Sequence, residues 1–546
     1  MSVRKRRSGE SGFALVTVMG TLLVASLISI SAFAAVNGDA RESGKDVGRK
    51  QALAAAESGV NDYLFQLNQD NGYWAKCTNT GDSTPVNDVW NGVLPDPRKW
   101  RNVPGSNAQY TIELLPVAPY TKCTPGDSVT ASMIDRSSRT LRIRVTGRIP
   151  SAKGMVYRSL IAAVKRDGFL DFLYFTDYET SDAVWYAVSI DGRPTGGPQG
   201  DLISWAANNC NKTYYRDGRG SLKWNGKYTD TNTTAPTVSC SQIQFADKDV
   251  IAGPLHTNDD LYTCDNPTFG RNAQDRIESG DGYRTACGAS EVPNFKGTFL
   301  QKQKVIGMPA TNAALATVAQ PAYRFVGAQK IVLGASSFTI QALPSGTVKT
   351  LGYPSNGVIY VSNDPTGYCP PYQGLNPDQN TDDCGNVRLS GTYGTDLTIA
   401  TENDIIIDAD VKRSGDPMLG LIANQFIRVA NPSVHSVLDP SSCTNNASTA
   451  DRTIEAAILS LQHSFTVDNY YCGHPIGTLT VKGVIAQRFR GPVGTGGSSG
   501  ASTGYIKNYQ YDDRLAYRSP PNFLDPVQSA WRVARYTEQA PARGVG

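Results

Sequence analysis

A chain of 546 residues exceeds what one hydrophobic core organises. A composition 40% apolar and 18% charged, with 52 glycines and 31 prolines, excludes wholesale disorder and long helical bundles and favours strands and turns. The formal net charge of +3 resides in the first twelve residues, where Arg4, Lys5, Arg6 and Arg7 outnumber Glu10, and no Lys/Arg block interleaved with aromatics follows, which excludes a nucleic-acid partner.

After these cations, Phe13 to Val36 runs 24 residues without a charge. As a helix rising ~1.5 Å per residue this spans ~36 Å, enough to cross a bilayer. Cations ahead of the span hold that end in the cytoplasm and direct the rest outside, so a single-pass protein with an extracytoplasmic body is expected. Two other outcomes stay open. Ala32-Phe33-Ala34 satisfies the small-x-small rule for conventional signal peptidase, which would release the body, and the span could remain as an uncleaved anchor. Beyond it, Leu53, Ala56, Val60, Tyr63 and Leu67 recur at helical spacing, which predicts an amphipathic stem continuing outward to residue 67. Its stripe is expected to pack on the protein's own sheet, on another subunit, or on both in its two halves.

Arg6-Arg7-Ser8-Gly9-Glu10-Ser11-Gly12-Phe13-Ala14-Leu15-Val16 resembles the signal of type IV prepilins and pseudopilins, in which a short basic leader ends in Gly and Phe follows. The resemblance implies cleavage after Gly12 by a prepilin peptidase, N-methylation of Phe13, and a helix held in the membrane until it packs with other pilins or pseudopilins. The family's usual glutamate at the fifth mature position is here Thr17, which argues against a major subunit. PilX-like minor pilins and the K-type tip pseudopilins tolerate that departure and also carry a small-rich stretch like Gln51-Ala52-Leu53-Ala54-Ala55-Ala56-Glu57-Ser58-Gly59-Val60.

Ten cysteines, Cys77, Cys123, Cys210, Cys240, Cys264, Cys287, Cys369, Cys384, Cys443 and Cys472, are widely spaced and form no C-x-x-C. That pattern suits disulfides in an oxidising, exported compartment. Many connectivities exist, and pairing of sequence neighbours is the economical one because each loop then closes over at most about fifty residues.

Tyr110 to Val117 and Leu141 to Arg148 alternate as half-buried strands, and Met155 to Lys165 makes a third run. With the stem they predict a small pilin-like α+β module over 68–167. Farther on, short apolar runs recur between Gly, Asn and Asp: Asp249 to Leu255, Ile331 to Leu333, Gly357 to Val361, Leu397 to Ala400, Ile405 to Ile407, Leu419 to Ala423, Phe426 to Val429 and Leu479 to Val481. Such runs suit a parallel β-solenoid over 168–486, with an irregular β-sandwich as the alternative. The Gly494-to-Gly500 stretch lacks the Gly-Lys-Ser/Thr ending of a phosphate loop and reads as a flexible loop. The aromatic, proline-bearing segment 487–546 reads as a capping tail. Gly253-Pro254-Leu255-His256-Thr257-Asn258, with Gln487 to Gly494 and Gly504 to Arg514, resembles exported β-rich proteins of uncharacterised function that join a PilX-like N-terminus to such a body.

Four histidines, His256, His435, His463 and His474, show no metal-ligand spacing, so no metal or cofactor is expected. Asp404, Asp408 and Asp410 share strand parity and are the candidates if the body is a carbohydrate-active solenoid with paired acid and base groups. Asp beside short strands is also an ordinary turn residue. The His256, Asn258, Asp259 and Asp260 cluster is expected to close a turn by side-chain to backbone hydrogen bonds, with metal binding the alternative. The sequence reading is therefore mainly β with a long N-terminal α-helix: a basic leader (1–12), a transmembrane and stem helix (13–67), the module, the solenoid-like body and the tail. It describes a non-enzymatic minor pilin or pilin-like envelope protein, associated with the membrane, other pilins and a surface glycan or protein ligand. An exported carbohydrate-active enzyme and a soluble secreted binding protein are the alternatives.

Overall fold

The computed structural model describes residues 26, 46–70, 72–77, 100–121, 123, 132–135, 140–151, 154–182, 243–246, 249–285, 292–369, 382–435, 443–445, 451–497, 500–516, 518–527 and 529–540. The chain divides into two compact units, one of Met1–Asp135, Thr140–Lys165 and Trp531–Gly546, the other of Arg136–Arg139 and Arg166–Ala530.

In the first unit a helix spans 46–69. Ala56, Val60, Tyr63 and Leu67, four of the five stripe residues, are fully buried and Leu53 packs beside them. Their partner is an antiparallel sheet in which Ile112 faces Val145 and Val145 faces Leu160, while Leu114, Ile143 and Ala162 form the next row. The stripe thus packs on the protein's own sheet. Two glycines permit the approach: a Cβ at Gly147 would stand 2.0 Å from the Ala52 carbonyl oxygen, and one at Gly59 would stand 2.5 Å from the Tyr110 ring. The sheet order ends with Trp531–Gln539 next to Gly154–Arg166. Asn68 fixes that returning strand, donating to the Trp531 carbonyl and accepting from its N–H, both at 3.0 Å. Cys77–Cys123 joins the segments flanking the helix end and the sheet.

In the second unit, 22 strands among the described residues belong to one connected sheet. Ile359, Ile399, Leu421, Ile458 and Ile485 occupy one parallel register column in one core cluster, and the next residues, Tyr360, Ala400, Ile422, Leu459 and Ala486, are buried in a second, so these strands are covered on both faces. The expected parallel solenoid is nevertheless corrected, because this sheet is mixed. Ser337–Ala342 runs antiparallel to both Gln329–Leu333 and Lys349–Gly352. The first pair is joined by only three residues, with Gly334 N–H donating to the Ser337 carbonyl, and so short a link can only turn the chain back. Gly494–Gly497 likewise pairs antiparallel with Gly500–Tyr511, so the stretch read as a flexible loop is the arm of a hairpin. The described α-helix is also limited, lying chiefly at 46–69 and Ala314–Val318; the Phe13–Val36 part of the expected long helix lies outside the described residues.

The longest strand, Pro475–Arg490, ties the unit together. It pairs in parallel with Arg452–Ser460 on one side, and on the other with Gly500–Tyr511 and then Tyr174–Ser181. Gly483 makes this possible: its φ is +153°, and a Cβ there would sit 1.9 Å from the Ala456 carbonyl oxygen. The proline-bearing segment near residue 520 lies along the flank of the strands, where the Thr398 hydroxyl donates to the Pro521 carbonyl at 2.5 Å.

Candidate functional site

The densest polar chemistry grows from three parallel strands, Tyr174–Ser181, Leu255–Thr257 and Arg276–Ser279. Their register places Tyr174, Leu255 and Ile277 in one inward column, and the next residues, Phe175, His256 and Glu278, in a second column on the opposite face. His256 therefore lies between Phe175, stacked on it with centroids 5.6 Å apart, and Glu278, whose Oε2 is 2.8 Å from Nδ1. Its Nε2 is 2.9 Å from the Asn258 Oδ1, and the amide orientation is fixed because Asn258 Nδ2 donates to Asp177 and to the Ile306 carbonyl. Both ring nitrogens face oxygens, with Nε2 against the Asn258 amide oxygen and Nδ1 against the Glu278 carboxyl.

The residues that follow close the turn. The Thr257 hydroxyl accepts from Asp259 N–H, Asp259 accepts from the N–H groups of Asp260 and Glu179, and Asp260 accepts from Gly282 N–H. All of them are buried. The side-chain to backbone bonding expected of the cluster is thus made by Asn258, Asp259 and Asp260, partly to neighbouring strands, whereas His256 bonds the side chains of Glu278 and Asn258; no group of side chains with metal-binding geometry occurs among the described residues.

Sequence reading missed the charged partners of this band. Arg488 holds Asp177 at 2.5 Å, and Arg490 holds Glu179 at 3.3 Å while its guanidinium lies 3.5 Å above the Phe245 ring. Burial pushes the Glu179 carboxyl up, against the pull of Arg490. Burial pushes Asp259 well up, and Asp260 is raised by burial and then by the Asp281 charge. Nearby, His463 Nδ1 is 2.9 Å from Asp182, which also accepts from the Ser464 hydroxyl at 2.7 Å. The available signal was two arginines close together in the strand-like stretch Gln487-Arg488-Phe489-Arg490, whose burial demands carboxylates beside them; a register shift between Phe489 and Arg490 then brings Arg490 over Phe245.

The three candidate aspartates are not brought together as an acid and base pair. Asp404 is fully buried and accepts from Arg428 Nε at 2.9 Å, and Arg428 Nη1 also holds both Asp468 oxygens at 2.9 and 3.0 Å. Asp408 is bound by Arg388 at 2.8 Å. Asp410 lies 2.5 Å from Lys412 and accepts from Thr453 N–H at 2.9 Å, and Lys412 and Arg452 hold its carboxyl below the ordinary range although burial opposes them. Each is committed to a different cation.

Cys369–Cys384 and Cys443–Cys472 are bonded in this unit, and Cys264 is also in a disulfide. Cys210, Cys240 and Cys287 lie outside the described residues, as do Gly12, Phe13 and Thr17. No helix among the described residues is long and apolar enough to cross a membrane. No protein-family model matches the chain, and neither does any curated protein. Among solved structures, the competence-associated pilin ComZ from Thermus thermophilus aligns over 90% of this chain and 97% of its own, at 10% identity and a TM-score of 0.23.

Proposed function

We propose that this chain is a pilin-like envelope protein, inserted and assembled through its N-terminal segment, that displays a large β-rich body outside the cytoplasmic membrane as a spacer, tip or adhesive surface. One observation carries the reading: a basic leader ending at Gly12-Phe13 opens an uncharged stretch of 24 residues, and the chain then enters the helix at 46–69. That helix spends its apolar stripe on its own sheet, which suits a stem that joins an anchoring segment to a folded head. The disulfides suit an oxidising compartment.

On this reading a prepilin peptidase cuts after Gly12, and Phe13 becomes the mature terminus. Thr17 cannot offer the carboxylate that a major subunit uses, so the protein is a minor component. Its partners are other pilins or pseudopilins through the N-terminal segment, and a glycan or protein ligand on the body. The test is Gly12→Leu in the native host: leader removal is abolished if the reading holds, and a leader still removed from that variant refutes it.

A further inference from the structure

A small cavity in the second unit is lined by Tyr174, Phe245, Gln487, Arg490, Lys507 and Tyr509, among others. Its polar groups are biased toward donors. Arg490 is buried, its Nη1 is taken by Glu179 and the Ile243 carbonyl, and its Nη2 has no hydrogen-bond partner among the described residues. The Tyr174 hydroxyl accepts from Gln487 Nε2 at 3.0 Å and retains its own proton. Burial raises both the Tyr174 and Tyr509 phenols, so both stay protonated. The Gln487 Oε1 acceptor on the wall is taken by Phe465 N–H at 2.9 Å. Lys507 adds a second cation, paired with Asp249 at 2.8 Å.

A buried guanidinium nitrogen without an acceptor is destabilising, and two phenolic protons beside it call for the same kind of group. The free space matches a single water or a monatomic ion rather than a phosphate or a carboxylate-bearing metabolite. Arg490 and Lys507 are paired with Glu179 and Asp249, so the pull on an anion comes from the donors that still face the space, the remaining guanidinium N–H groups of Arg490 and the phenolic protons. We propose that this cavity is a binding site for a small monovalent inorganic anion of the chloride class, held by Arg490 Nη2 and the hydroxyls of Tyr174 and Tyr509. The site ties Tyr174–Ser181, Pro475–Arg490 and Gly500–Tyr511 together, so the ion acts as a structural ligand of the folded state.

The test uses the full chain and measures thermal unfolding in sodium chloride and in sodium gluconate at equal ionic strength. A saturable rise in Tm with chloride is expected. Tyr509→Phe removes one donor without changing charge and should raise the chloride midpoint by about tenfold or more, the value of a hydrogen bond to a charged group. Crystals soaked in sodium bromide should show anomalous scattering beside Arg490. Equal Tm in the two salts, or a bromide-free cavity holding water, overturns the proposal. A chloride response left unchanged by Tyr509→Phe also overturns it, because the ion then binds elsewhere.

Discussion

Replacing Arg428 with methionine should be among the most damaging single changes in the second unit. The guanidinium makes three charge-assisted hydrogen bonds at 2.9 to 3.0 Å to Asp404 and Asp468, and all three side chains are almost fully buried. Removing the cation leaves two carboxylates in the interior without their counter-charge, and breaking such a buried pair costs about 3–5 kcal/mol. At roughly 2 °C per kcal/mol for a unit of this size, the thermal midpoint should fall by roughly 6–10 °C. Unfolding of the full chain in mild detergent, followed by near- and far-ultraviolet circular dichroism, reads this directly. The variant combining Asp404→Asn, Arg428→Met and Asp468→Asn keeps an acceptor for Phe426 N–H, which Asp404 now satisfies at 3.0 Å, and removes the stranded charge. It should recover at least half of the loss. An Arg428→Met protein within about 1 kcal/mol of the parent, or a triple variant no better than the single one, would refute the argument that uncompensated charge dominates.

Gly147→Ala should destabilise the first unit by about 1–3 kcal/mol, since the added methyl meets the Ala52 carbonyl at 2.0 Å and the helix must lift from the sheet; urea unfolding measures it. Burial raises the folded-state Asp259 carboxyl above its ordinary value of 3.8, so between that value and the raised one the folded protein binds more protons than the unfolded chain, and this contribution to stability is lost as pH rises. Asp259→Asn should therefore flatten the decline in stability above pH ~4 seen in urea midpoints, whereas an unchanged slope would assign the decline to other groups. Replacing Cys443 and Cys472 by serine opens a disulfide of sequence separation 29 and should cost about 3–4 kcal/mol, checked by denaturant midpoints under non-reducing conditions.

Where side chains kept a single period, the chain could be read directly. The stripe from Leu53 to Leu67 repeats every three or four residues and lies against the sheet, and Leu419–Ala423 is a strand over the same residues that form its apolar run. Reading failed where backbone geometry overrides the side-chain pattern. Only Leu479 to Val481 stood out from a strand that runs Pro475–Arg490, because Gly477 and Gly483 interrupt its apolar pattern while supplying the positive φ that continues it. The hairpin at Gly334 was missed although Ser337–Ala342 alternates Phe338 and Ile340 with polar neighbours, because the body's strands are read from continuous apolar runs alone, and that hairpin is part of what makes the sheet mixed. The return of Trp531–Gln539 to the first unit's sheet has no local signature, since it is fixed by Asn68, 463 positions away. The candidate carboxylates were visible by type and parity. Their partners Arg428 and Arg388 were not, because a cation inside a short apolar run reveals its burial only when the neighbouring strand is known.

The central claim concerns the N-terminus, and mass spectrometry of the terminal peptide from the native envelope tests it most directly. The proposal requires a mature chain beginning at an N-methylated Phe13. A terminus at Ala35 would contradict it and make the body a released secretory protein, and an intact Met1 would contradict it by leaving a plain anchored ectodomain.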